Sequence, residues 1–181
     1  ILTRLLPNLW DRENRSRYGR GVNTFFGVPA HPLFVHLPVV LIPLGFIGAI
    51  LMLVRSSWWN RLLWPTVVVT AIGTLGAILA AGSGESLEGA VRDRAVRNLL
   101  NEHTEAGDIA RGASIFFLVV LLVAVFAPRF VKVLGTKKWW KPVAAVLILV
   151  GGAYSSWAMY DAGHSGAKSV WHDVKVVGEG D

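Results

Sequence analysis

Gly27-Val28-Pro29-Ala30-His31-Pro32-Leu33-Phe34-Val35-His36-Leu37-Pro38 opens an apolar run, Leu33 to Val54, that contains no charged residue. At about 1.5 Å of rise per residue, roughly 20 residues cross a hydrocarbon layer of about 30 Å, so this run is long enough to span a membrane. Surrounded by lipid, a segment of this length can satisfy its backbone groups only as a helix. Two imidazoles stand at its mouth. Such groups are costly to bury at a membrane edge, and they bind protons, metals or haem.

Three more apolar runs follow, Leu62–Ala81, Gly112–Ala127 and Pro142–Tyr160. The third is short, so its helix is expected to begin upstream, near Asn101–His103. The fold expected is an all-α membrane protein, a bundle of four transmembrane helices. Composition agrees: of 181 residues, 53% are hydrophobic and 17% charged, with a mean hydropathy of +0.49. A soluble domain carries about 25% charged residues. The absence of cysteine excludes disulfides, c-type haem attachment, thiolate zinc sites and cysteine-held iron–sulfur clusters. Three regions are expected: an arginine-rich segment over residues 1–30 lying on the membrane or a partner, the transmembrane domain over 31–165, and a polar tail over 166–181. Ile1 to Asn8 is too short for a signal peptide and carries Arg4.

The loops set an orientation. Residues 55–61 carry Arg55 and Arg61, and residues 128–141 carry Arg129, Lys132, Lys137, Lys138 and Lys141, with no acidic residue in either loop. Basic loops stay in the cytoplasm, so both termini are expected on the extracytoplasmic side of the plasma membrane. Arg12, Arg15, Arg17 and Arg20 oppose that assignment, but they stand well ahead of the first span. Trp58-Trp59 and Trp139-Trp140 precede the second and fourth spans, and at the same offset of 81 Ala81-Gly82 matches Ala162-Gly163. The matches suggest two tandem helical hairpins related by an axis along the membrane normal. Interface anchoring would explain the tryptophan pairs equally well.

All five histidines fall toward the acidic end: His31, His36, His103, His164 and His172. His31 and His36 are five apart, about 140° around a helix, so they cannot face one point together. His36, nearly a turn inside the run, is the better axial-ligand candidate, and Pro32 is expected to hold His31 outside the helix. Haem b needs two imidazoles at matched depth, which His36 with His103 or His164 would supply, with Arg111 on a propionate. A metal ion would instead draw on His31, His36, His103 and Asp108. Asp108 and Arg111, three apart, also read as a plain helix-surface pair. The competing interpretation is that these histidines cap backbone carbonyls without any cofactor.

Gly82-Ser83-Gly84-Glu85-Ser86-Leu87-Glu88-Gly89 lacks the Gly-Lys-Ser/Thr ending of a phosphate loop and is expected to be a helix end followed by a short amphipathic outer helix through Leu100. Gly73, Ala77 and Ala81 form a small-residue row suited to close helix packing. No nucleophile–base pair, metalloprotease helix or dinucleotide fingerprint occurs, so independent catalytic activity is not expected. The aromatics flank spans instead of interleaving with a basic groove, which argues against nucleic acid.

His31-Pro32-Leu33-Phe34-Val35-His36-Leu37-Pro38, the glycine-rich end of the second span, His103, and the Gly163-His164-Ser165-Gly166 turn together resemble the bacterial membrane-protein family catalogued as domain of unknown function 2231. The resemblance covers roughly residues 27–170, and its style looks actinobacterial. It implies a four-helix membrane domain, in some members linked to Rieske iron–sulfur domains, and hence a redox setting. The function expected is an accessory subunit of a respiratory or other membrane redox assembly, docked on a larger complex and binding haem b through its outer histidines. The alternative is a cofactor-free interaction protein of the membrane.

Overall fold

A computed structural model describes residues 24–25, 27–91, 95–131, 133 and 137–173. The arginines expected to lie on a membrane or partner surface, Arg12 to Arg20, fall outside these residues. A short hairpin leads in: β1 (Thr24–Phe25) pairs antiparallel with β2 (Val28–Pro29). Gly27 makes the reversal at a φ of 80°, a left-handed conformation that glycine adopts without steric cost.

Four long helices follow: α1 (Ala30–Val54), α2 (Trp59–Val91), α3 (Arg97–Phe130) and α4 (Trp140–Trp171). All four are long and apolar enough to cross a membrane. A 3₁₀ turn, Ser56–Trp58, joins α1 to α2. Pro38, Pro43, Pro65 and Pro128 sit inside helices, a placement that membrane helices tolerate because neighbouring groups re-satisfy the freed carbonyls.

The helices pack as a four-membered ring. α1 lies on α2 and α3 on α4, the closest pairs; α1 also meets α4, and α2 meets α3. This is the pair of tandem hairpins suggested by the tryptophan repeat. In lipid the packing energy comes from close contact more than from water exclusion, so small residues line the seams. Phe117, Ile42, Leu121 and Ile148 fill the centre. The Phe46 ring of α1 lies where a side chain on Gly152 of α4 would stand, and it meets Phe117 edge-on at 6.3 Å.

Two boundaries differ from expectation. α2 runs unbroken to Val91, so Gly82 to Gly89 is part of α2 and not the start of a separate outer helix. α4 likewise runs to Trp171, through the first part of the presumed tail. Both extensions are polar, and their backbone hydrogen bonds simply propagate from a nucleated helix.

Candidate functional site

The first turn of α1 carries His31 inside the helix, with Pro29 at its N-cap and Pro32 in the first turn, where proline's missing N–H costs nothing. His31 Nδ1 lies 2.8 Å from the carbonyl oxygen of Ala80 on α2. A turn further along α2, Gly84 leaves the space the imidazole fills: a Cβ there would stand 3.0 Å from Nδ1.

The second hairpin repeats the arrangement. His103 on α3 places Nδ1 3.2 Å from the carbonyl oxygen of Ala162 on α4, and a Cβ on Gly166 would stand 2.9 Å from its Cε1. Ser165 Oγ is 3.4 Å from the same Nδ1 and itself donates to Ala162 O. Ser83, at the matching place in the first hairpin, donates to Ala80 O. The two clamps therefore read Ala80-x-x-Ser83-Gly84 and Ala162-x-x-Ser165-Gly166, at an offset of 82. That Ala-x-x-Ser-Gly repeat is the signal that would have found the site. The tryptophan pairs keep an offset of 81, so the second hairpin holds one more residue between its tryptophans and its clamp.

The clamps bring the two rings together. His31 and His103 have ring centroids 5.8 Å apart at an interplanar angle of 77°. A carbonyl oxygen only accepts, so each Nδ1 in such a bond carries the hydrogen, and a neutral ring then keeps its lone pair on Nε2. This is the arrangement in which a backbone carbonyl fixes the orientation and tautomer of an imidazole that can ligate a metal. With a metal–nitrogen bond of about 2.0–2.1 Å, two imidazoles on one metal have centroids about 5 Å apart at a tetrahedral angle and about 6.3 Å apart when opposed, and the observed 5.8 Å lies between the two. Ala80 and Ala162 each lie about 32 Å along their helices from Trp59 and Trp140, which puts the pair at the edge of the hydrocarbon layer.

The other expected residues lie elsewhere. His36 is exposed and turns back on its own helix, with Nδ1 2.6 Å from Pro32 O, so it is His31, and not His36, that meets His103. His31 and His36 do point apart, as their spacing requires. His164 is exposed and stacks on Tyr160 at 5.8 Å and 13°. It lines an open cavity of about 270 Å³ between α3 and α4 with Glu102, Glu105, Asp161 and Lys168. Arg111 bonds Asp108 at 3.0 Å and reaches Glu85 of α2 at 3.6 Å, so its guanidinium is engaged by two carboxylates. Among the described residues no three His, Cys, Asp or Glu side chains converge to hold a metal ion, so the set of His31, His36, His103 and Asp108 is not assembled. A helical face cannot turn two residues five apart toward one point.

A four-helix membrane bundle with basic turns at one end and a paired-imidazole clamp at the other defines the class of this molecule. The chain belongs to the family DUF2231, described as a predicted membrane protein, whose model matches residues 27–178. No curated protein and no solved structure matches it.

Proposed function

We propose that this protein is a small accessory subunit of a membrane redox assembly, in which His31 and His103 would hold haem b. One observation carries the reading: two imidazoles, each oriented through Nδ1 by a backbone carbonyl, stand 5.8 Å apart with no third protein ligand converging on them among the described residues. Two donors leave a bare zinc or copper ion short of its usual four, whereas haem would ask only two of the protein. Haem, when bound, would supply one-electron redox chemistry. The chain's own part is to hold the rings, fix their tautomer through Ala80 and Ala162, and keep them at the membrane edge. Under the positive-inside rule this end is extracytoplasmic and the respiratory partner is reached within the plasma membrane.

The optical spectrum of the purified protein, with metal analysis, tests this. The expected result is a Soret band with about one iron per chain, lost in His31→Ala and His103→Ala and kept in His36→Ala and His164→Ala. A sample reconstituted with haem that shows neither band nor iron overturns it. The cofactor-free reading has one observation in its favour, since the Nδ1 bonds also tie α1 to α2 and α3 to α4. In that case His31→Ala lowers thermal stability while spectrum and metal content stay at baseline in every variant.

A further inference from the structure

We infer that the end of the bundle opposite the histidines is a binding site for anionic phospholipid. The up-and-down ring places the turn between α1 and α2 and the connection between α3 and α4 at one end. Those two stretches carry Arg55, Arg61, Arg129, Lys132, Lys137, Lys138 and Lys141. No Asp or Glu occurs between Val28 and Gly84, or between Gly112 and Tyr160, and among the described residues none of Arg55, Arg61, Lys137, Lys138 and Lys141 pairs with a carboxylate. The whole chain has a net charge of +6, which leaves the remainder at −1. Among the described residues the positive field is therefore concentrated at this end, where an anion from outside can balance it.

The surroundings choose a lipid over a soluble anion. Arg55, Arg61, Lys137, Lys138 and Lys141 are all exposed. They are bordered by apolar side chains that also face outward: Val54 at 80%, Trp64 at 56%, Phe130 at 83% and Trp139 at 53% exposure. The Arg55 guanidinium lies over the Trp58 ring at 5.0 Å, and Trp139 and Trp140 meet edge-on at 6.1 Å. Indole favours the headgroup level of a bilayer, so these rings set the bases at phosphate depth, while the apolar flanks below continue into helix faces that acyl chains can cover. A free phosphate would use only the charges. An anionic phospholipid uses both.

The test is native mass spectrometry of the full-length protein released from nanodiscs of equimolar phosphatidylglycerol and phosphatidylcholine, and it needs no haem. The expected result is retention of phosphatidylglycerol over phosphatidylcholine by tenfold or more. The preference should fall by up to about fivefold for each base neutralised, and to less than about a fifth of the wild-type value in the R55Q/R61Q/K138Q/K141Q variant. Arg97→Gln, at the other end, should leave it unchanged. Equal retention of the two lipids overturns the proposal, as does a preference that stays above about a fifth of the wild-type value in the fourfold variant. Full protection of the protein against heat by inorganic phosphate alone, without lipid, overturns it in favour of a simple anion site. A protein without a Soret band that still selects phosphatidylglycerol fails the haem reading and leaves this one standing.

Discussion

Gly166→Ala separates the clamp's geometry from the stability of the bundle. The added Cβ would stand 2.9 Å from Cε1 and 3.2 Å from Nδ1 of His103. Ordinary contact between such atoms is about 3.5–4.0 Å, so the imidazole must retreat by roughly 0.6–1 Å. Its Nδ1 bond to Ala162 O is already 3.2 Å long, and a retreat of that size carries it past the limit of a hydrogen bond. Losing the bond costs about 0.5–1.5 kcal/mol, while replacing glycine by alanine within a helix returns about 0.5–1 kcal/mol. The two nearly cancel, because the atom displaced is the far end of a side chain and not backbone. The variant should therefore unfold within a few degrees of wild type, yet bind haem at least tenfold more weakly in a spectrophotometric titration. Gly163→Ala, three residues earlier with nothing within 4 Å of the new Cβ, is the control and should gain about 0.5–1 kcal/mol with no change in binding. The reasoning fails if Gly166→Ala titrates like wild type, or if Gly163→Ala weakens binding as much.

Other expectations can be read by unfolding the protein in mixed detergent and following helicity. A Cβ on Gly45 of α1 would collide with Thr70 Oγ1 and stand 3.3 Å from Thr70 Cβ on α2, so Gly45→Ala should cost about 1–3 kcal/mol. Adding Thr70→Ala should recover part of that loss, a coupling of about 0.5–3 kcal/mol in a double-mutant cycle. Among the described residues Ser155 Oγ is the one buried side-chain polar atom without a hydrogen bond, so Ser155→Ala should be neutral or stabilise by up to about 1 kcal/mol. Arg111→Gln removes two ion pairs with carboxylates that are 62% and 70% exposed, and stability should move by less than about 0.5 kcal/mol.

The helices were legible because the property that makes them is local. A run such as Leu33–Val54 must be helical wherever lipid surrounds it, and charge-free interiors with basic ends show in composition alone. The hairpin pairing was partly legible, since Trp58-Trp59 and Trp139-Trp140 mark corresponding turns. The ends of α2 and α4 lie beyond their apolar runs, because the residues at Gly82–Gly89 and beyond Ser165 break the hydropathy pattern without breaking the helix. Hydropathy records the solvent around a segment, whereas a helix, once nucleated, extends through any residues that do not clash.

The site was legible as a set of residues at one end and not as a pair. His31, His103 and their position at the mixed-charge end follow from the sequence. Depth within one helix favours His36, but depth says nothing of what stands opposite. The acceptors are main-chain oxygens of Ala80 and Ala162, which no side-chain identity announces, and the space for each ring is an absence of side chain at Gly84 and Gly166. What the sequence determined alone is the membrane, the four spans and the polarity of the two ends, because each depends on the residues of one segment. Tertiary structure decided that His31 meets His103 across the bundle while His36 faces outward. That outcome depends on which carbonyl and which glycine a neighbouring helix presents at the same height, and only the packing of the two hairpins sets that register.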